Sequence, residues 1–267
     1  MSPAFPVTLA LYAGACALYL AHVSSGPSSG RLAQIARLML TLAFCAHAID
    51  IGFSCVRHVE PLVNTREALS FLAWLIVGAF LVSTLRYRLP LVGALLVPVV
   101  IVLEVAARLG PSREAAHTAT ALGMVHIGLA TAGVAVFAVG AVDAAVYLVA
   151  EAQLKQRRLG GVFRKGPPLE TLDSLNRRCV QLGFPLYTVA MVTGAMWLTR
   201  LPDGGAARLL LPEYLLAVLA WVIYAGLLVA RLAVGLRGRR AALATLAGFG
   251  ASLCVLAIYF LRGAGHG

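Results

Sequence analysis

Apolar residues run along the chain in blocks of about 20, broken by short clusters of charge, glycine and proline. Each block is long enough to cross a hydrocarbon layer of about 30 Å as a helix. The blocks predict helices near 3–23, 31–53, 67–85, 90–108, 118–149, 178–199, 212–235 and 240–261. The expectation is therefore an all-α, polytopic integral membrane protein of about eight transmembrane helices. No cationic segment precedes the first block and no small-residue cleavage site follows it, so it reads as a retained helix.

Composition agrees with this pattern. Of 267 residues 60% are apolar and 12% charged, against roughly 45–50% and 25% in soluble domains. Little chain remains for a soluble domain, and 1–267 reads as a single transmembrane helical domain. The net charge of +11 would suggest nucleic acid in a soluble protein. Here 15 of the 22 Lys and Arg residues fall on connections sharing one side of the membrane and 7 on the other. That asymmetry is the positive-inside pattern, so the basic charge reports topology, nucleic-acid binding is set aside, and both termini are expected outside. The longest connection, about 150–177, is basic and carries Gly160-Gly161 and Pro167-Pro168, an expected cytoplasmic elbow ending in a short amphipathic segment.

Five scattered cysteines contain no C-x-x-C pair, which removes zinc-ribbon, thioredoxin-like and c-type haem attachment chemistry. The glycine pairs lack the spacing of a P-loop or dinucleotide fingerprint. Asp173 and Glu170 stand without a histidine or metal set, and no hydrolase or transferase arrangement is visible.

Ionisable groups inside spans are costly enough to mark function. His47, Asp50, Glu104 and His126 are expected toward the external leaflet, Asp143 toward the cytoplasmic one. The helical face of His126 carries Gly123, Ala130 and Gly133. Such a face could seat a planar macrocycle beside an imidazole ligand, or could simply let helices pack closely with His126 hydrogen-bonded across the interface. His47 and Asp50, three residues apart, could form a histidine held by a carboxylate or an inward polar pair. His22 reads as an interfacial anchor and His266 as a tail residue.

Four stretches carry a resemblance: VNTREALSFLAW; HIGLATAGVAVFAVGAVDAAVYLVAEAQLK; LETLDSLNRRCVQLGFPLYTVAMVTGAMW; and PEYLLAVLAWVIYAGLLVARLAVGLRGRRAALATLAGF. Together, over about residues 60–267, they resemble the cytochrome c assembly protein family of CcsA, CcmC and HemX proteins, and most closely its shorter HemX-like branch. The resemblance implies a haem-handling protein of the bacterial inner membrane. It implies two external histidines as axial haem ligands, which correspond to His126 and His266. The family's tryptophan-rich loop, W-G-x-x-W-x-W-D, is replaced here by WLTRLPDGGAARLLLPEY, in which Trp197 survives and Arg200 and Arg208 could pair with haem propionates. The implied partners are haem, an apocytochrome or a second maturation subunit, and the bilayer. Two alternatives remain open: a non-catalytic HemX-like scaffold whose elbow contacts a soluble tetrapyrrole-synthesis enzyme, and a b-type electron-transfer subunit in which His47 and His126 clamp haem.

Overall fold

The computed structural model describes residues 4–24, 30–56, 65–109, 120–156, 166–200 and 210–264. These form eight helices: α1 (Ala4–Ser24), α2 (Gly30–Val56), α3 (Thr65–Thr84), α4 (Pro90–Leu109), α5 (Ala121–Lys155), α6 (Leu169–Leu198), α7 (Pro212–Ala233) and α8 (Arg239–Ala264). All eight are long and apolar enough to cross a membrane. There is no strand among the described residues. With eight crossings the start of α1 and the end of α8 lie on the same side. The opposite side, carrying most of the cationic connections, is called the basic side below.

Punctuation in the sequence sets the helix ends. Thr120 caps α5, its side-chain oxygen accepting from the Gly123 N–H at 3.2 Å. Pro212 opens α7 at a position where no N–H is needed. Gly235 (φ 65°) ends α7, with the Leu236 N–H donating back to the Ala230 carbonyl at 3.1 Å, and Gly238 (φ 71°) precedes α8. Both glycines occupy left-handed conformations that a side chain would strain.

One boundary differs from expectation. The stretch 169–177 is the start of α6, continuous with the membrane span, so α6 has 30 residues and runs about 45 Å. Its charges had argued for a separate segment. Glu170, Arg177 and Arg178 stay exposed, and α7 and the α7–α8 turn bring partners to the half-buried Asp173, which accepts from Arg231 Nη1 at 3.4 Å and from the Gly238 N–H at 3.1 Å. Arg231 is a buried residue of α7 whose Nη2 donates to Asn176 Oδ1 at 2.7 Å. This network ties the start of α6 to the α7–α8 turn on the basic side. Residues 157–165 of the elbow lie outside the described residues.

Helices pair as α1 with α2, α3 with α4, α5 with α6 and α7 with α8, and α5 also packs on α3 and α8. The α5–α6 seam is built on glycine. A Cβ on Gly133 would stand 3.2 Å from the Tyr187 backbone nitrogen, one on Gly140 2.9 Å from Cys179 Cβ, and one on Gly183 2.5 Å from the Phe137 ring. Lipid offers apolar side chains as good a solvent as a neighbouring helix does, so close backbone approach through small residues supplies the packing energy instead. Phe137 is fully buried and stacked on Tyr224, with centroids 3.7 Å apart and planes 10° from parallel, which locks α7 against this seam.

Candidate functional site: His126 and the buried polar clusters

His126 lies in the second turn of α5, on the side away from the basic connections, with its imidazole against α6. Nδ1 is 2.7 Å from the Ala190 carbonyl oxygen. A carbonyl can only accept, so Nδ1 carries the proton and donates, and in the neutral ring Nε2 keeps its lone pair. Nε2 meets no hydrogen-bond partner among the described residues. The ring fits because Gly194, one turn beyond Ala190, has no side chain: a Cβ there would come within 2.6 Å of Cε1 and 2.8 Å of Nδ1. Trp197 stacks beside it, centroids 6.1 Å apart and planes inclined by 30°, with its Nε1 buried and unpaired among the described residues.

This arrangement corrects one expectation. The small-residue face of α5 is not an open bed for a macrocycle at Gly133, because the α6 backbone at Tyr187 occupies it. The interface hydrogen bond, the other reading of His126, is what forms. The same bond also fixes the tautomer a metal-binding histidine needs, since such residues donate the distal ring N–H to a carbonyl or carboxylate. Arg200 follows Trp197 at the exposed end of α6. Arg208 and His266 lie outside the described residues, so the pairing of His126 with His266 rests on sequence. α5 and α8 pack on one another, with Thr245 beside Gly140 on the half toward the basic side.

His47 sits in a different place. It is fully buried among α1, α2, α3 and α4, with Nδ1 3.0 Å from the Tyr12 hydroxyl and Nε2 2.9 Å from Ser70 Oγ. Ser70 donates in turn to Glu104 Oε2 at 2.8 Å. The order that satisfies both ring nitrogens and both hydroxyls runs one way: Tyr12 O–H to Nδ1, Nε2–H to Ser70, Ser70 O–H to Glu104. Both ring nitrogens are thus engaged, and His47 offers no free lone pair to iron.

Of the two readings of His47 and Asp50, the hydrogen bond between them does not form. Arg108 at the end of α4 pairs with Asp50 instead, approaches Glu104 Oε1 at 3.7 Å, and lies 4.4 Å over the Phe5 ring. A guanidinium is the stronger partner for a buried carboxylate. His47 and His126 therefore belong to separate networks, and the two-histidine clamp of the electron-transfer reading does not form between them. Arg66 completes this end of the bundle by donating to the Ala107 and Arg108 carbonyls at the end of α4, at 2.9 and 2.8 Å.

Asp143 lies in the half of α5 nearer the basic side, fully buried, with both oxygens unpaired among the described residues. Asn176 bridges nearby, donating to the Gly140 carbonyl at 3.0 Å and accepting from Arg231 and Thr245. No group of three or more His, Cys, Asp or Glu residues forms a metal site among the described residues.

The sequence comparisons bear on which of these sites matters. The model of the cytochrome C assembly protein family matches residues 62–267, which take in His126, Ala190, Gly194 and Trp197. The chain belongs to the cytochrome c assembly protein family. Among its relatives is the cytochrome c biogenesis protein CcsA of Thermosynechococcus vestitus, 27% identical over 270 aligned residues that cover 85% of this chain and 82% of the relative. The CcsA protein of Guillardia theta is 28% identical, covering 85% and 80%, and that of Microcystis aeruginosa 25%, covering 80% and 79%. These relatives carry the CcsA description and give the HemX-like branch no support. The family match begins just before α3, so Tyr12, His47 and Asp50 precede it, whereas Ser70, Glu104 and Arg108 fall inside it.

Proposed function

We propose that this chain is a haem-handling membrane protein of cytochrome c maturation, holding haem through His126 at the face opposite the basic connections. The observation that carries the reading is the Nδ1–H bond to the Ala190 carbonyl, which leaves Nε2 an unprotonated lone pair with no hydrogen-bond partner among the described residues. The surrounding residues fit the group on one face. Gly194 makes room for the imidazole, Trp197 supplies an aromatic surface whose indole N–H is unpaired among the described residues, and exposed Arg200 is a cation for a propionate. His266 is the proposed second ligand and Arg208 a second propionate partner. By the positive-inside rule the basic side is cytoplasmic, which puts His126 outside the cytoplasmic membrane of a bacterium, where an apocytochrome would be met.

Bound haem supplies a vinyl-bearing porphyrin for attachment to an apocytochrome. The chain's own residues bind and orient it: Ala190 fixes the tautomer of His126, and the α5–α6 seam holds the ring in place. We further propose that the eight helices act as one domain, and that a second maturation subunit shares the work.

An optical spectrum of the purified, haem-loaded chain tests this. The wild type should show a low-spin Soret band, His126→Ala should lose or shift it, and added imidazole should partly restore it. A wild-type spectrum in the Ala variant would refute the assignment.

A further inference from the structure

On the basic side a recess of about 290 Å³ opens between the end of α5 and the start of α8, near the lower end of small-molecule pocket sizes. It is remote from His126: the two lie toward opposite ends of α5, a helix of 35 residues and about 52 Å. Leu148 and Leu243 form its apolar part, and Glu151, Lys155, Gln156 and Arg239 its polar part. The two walls are helix stripes. Leu148, Glu151 and Lys155 recur at three- and four-residue intervals on α5, and Arg239 and Leu243 are four apart on α8.

Polarity is graded along the membrane normal. From Leu148 to Lys155 is about 10 Å along α5, close to the depth over which a bilayer passes from acyl chain to headgroup. Leu243 is 47% exposed, and Lys155 and Arg239 are exposed as well, so both the apolar and the cationic parts are open to the surroundings. Lys155 pairs with Glu151 at 2.9 Å. Arg239 makes no ion pair among the described residues, and the recess carries one net positive charge. A soluble anion would gain nothing from the leucines, and a zwitterionic lipid, whose ammonium offsets its phosphate, would gain less from the net positive charge. A molecule with an acyl chain below and a net negative phosphate above uses both.

We propose that this recess binds the headgroup of an anionic phospholipid, with the phosphate at Arg239 and Lys155 and an acyl chain along Leu148 and Leu243. Basic recesses between helices on the cytoplasmic side are where such lipids bind. The site stands apart from the haem reading, and its test needs no haem.

Native mass spectrometry of the full-length chain in mild detergent, with equal amounts of phosphatidylglycerol and phosphatidylcholine added, provides that test. The wild type should retain phosphatidylglycerol in preference. Lys155→Gln with Arg239→Gln should lower retention about tenfold, from the energy per cation near an anionic surface discounted for the Glu151 pair. Glu151→Gln, which frees Lys155 and adds one net positive charge, should raise retention about fivefold, an effect that misfolding would not produce. Arg31→Gln, on the same side and outside the recess, should change nothing. Wild-type retention in the double variant, weaker retention in Glu151→Gln, equal retention of phosphatidylcholine, or displacement by millimolar inorganic phosphate would each overturn the proposal, the last by assigning the recess to free phosphate.

Discussion

Replacing Gly194 by alanine tests the link between α6 and the imidazole of His126. The added Cβ would lie 2.6 Å from Cε1 and 2.8 Å from Nδ1, against about 3.5–4.0 Å for a comfortable carbon contact. The backbone of α6 is held in its helix, so the ring has to move by roughly 1 Å. The bond from Nδ1 to the Ala190 carbonyl, now 2.7 Å, then passes the limit of useful geometry. Losing the group that orients a metal-bound histidine costs roughly 10- to 100-fold in affinity, and haem binding should weaken by that factor. The overpacking itself should cost about 1–3 kcal/mol of stability. Gly183→Ala is the matched control. It overpacks the same helix seam against another ring, 2.5 Å from Phe137, about 16 Å along the helix from Gly194. Haem titration followed by absorbance, with thermal unfolding in parallel, should show both variants destabilised and only Gly194→Ala impaired in binding. Equal binding by the two variants would refute the role given to the Ala190–Gly194 turn.

The other networks give separable outcomes. His47→Gln should leave the haem spectrum unchanged, because both ring nitrogens already serve Tyr12 and Ser70; loss of the Soret band would place His47 at the iron. Arg108→Ala removes the partner of buried Asp50 and a neighbour of Glu104, and should destabilise the bundle by about 3 kcal/mol, the low end for a broken buried pair because Arg108 is partly exposed. Adding Asp50→Asn should recover part of that loss in an unfolding assay. Gly238→Ala, at φ 71° with a Cβ 3.0 Å from the Tyr147 hydroxyl, should cost about 1–3 kcal/mol through backbone strain while sparing haem affinity, because the α7–α8 turn is on the side away from His126.

Much of the fold was legible because each span is a continuous apolar run, and hydropathy alone marks it. The start of α6 was not, since Glu170, Asp173, Arg177 and Arg178 look like a surface segment, and the partners of Asp173, Arg231 of α7 and the Gly238 N–H of the α7–α8 turn, lie about 60 residues later. His126 stood out as a histidine in an apolar helix, but its orienting group is a main-chain carbonyl, which sequence never displays. Gly194 and Trp197, three apart on one face of α6, were the available signal for the α6 half of the site. The chain from Tyr12 through His47 and Ser70 to Glu104 was invisible for a different reason. It draws one residue from each of four helices, and two of its members are a tyrosine and a serine that in an apolar segment carry no mark of their own. Asp50 sat at the right spacing for His47, yet an arginine on α4 outcompeted the histidine for it.

The central claim is that Nε2 of His126, and not Nδ1, meets the haem iron. Pulsed electron paramagnetic resonance of the ferric, haem-loaded chain tests it, using histidine labelled with ¹⁵N at either ring position. The account predicts strong direct coupling from the Nε2 label, weak coupling from the Nδ1 label, and a clear fall of the Nε2 signal in His126→Ala. A strong Nδ1 coupling, or an Nε2 signal unchanged by His126→Ala, would contradict it.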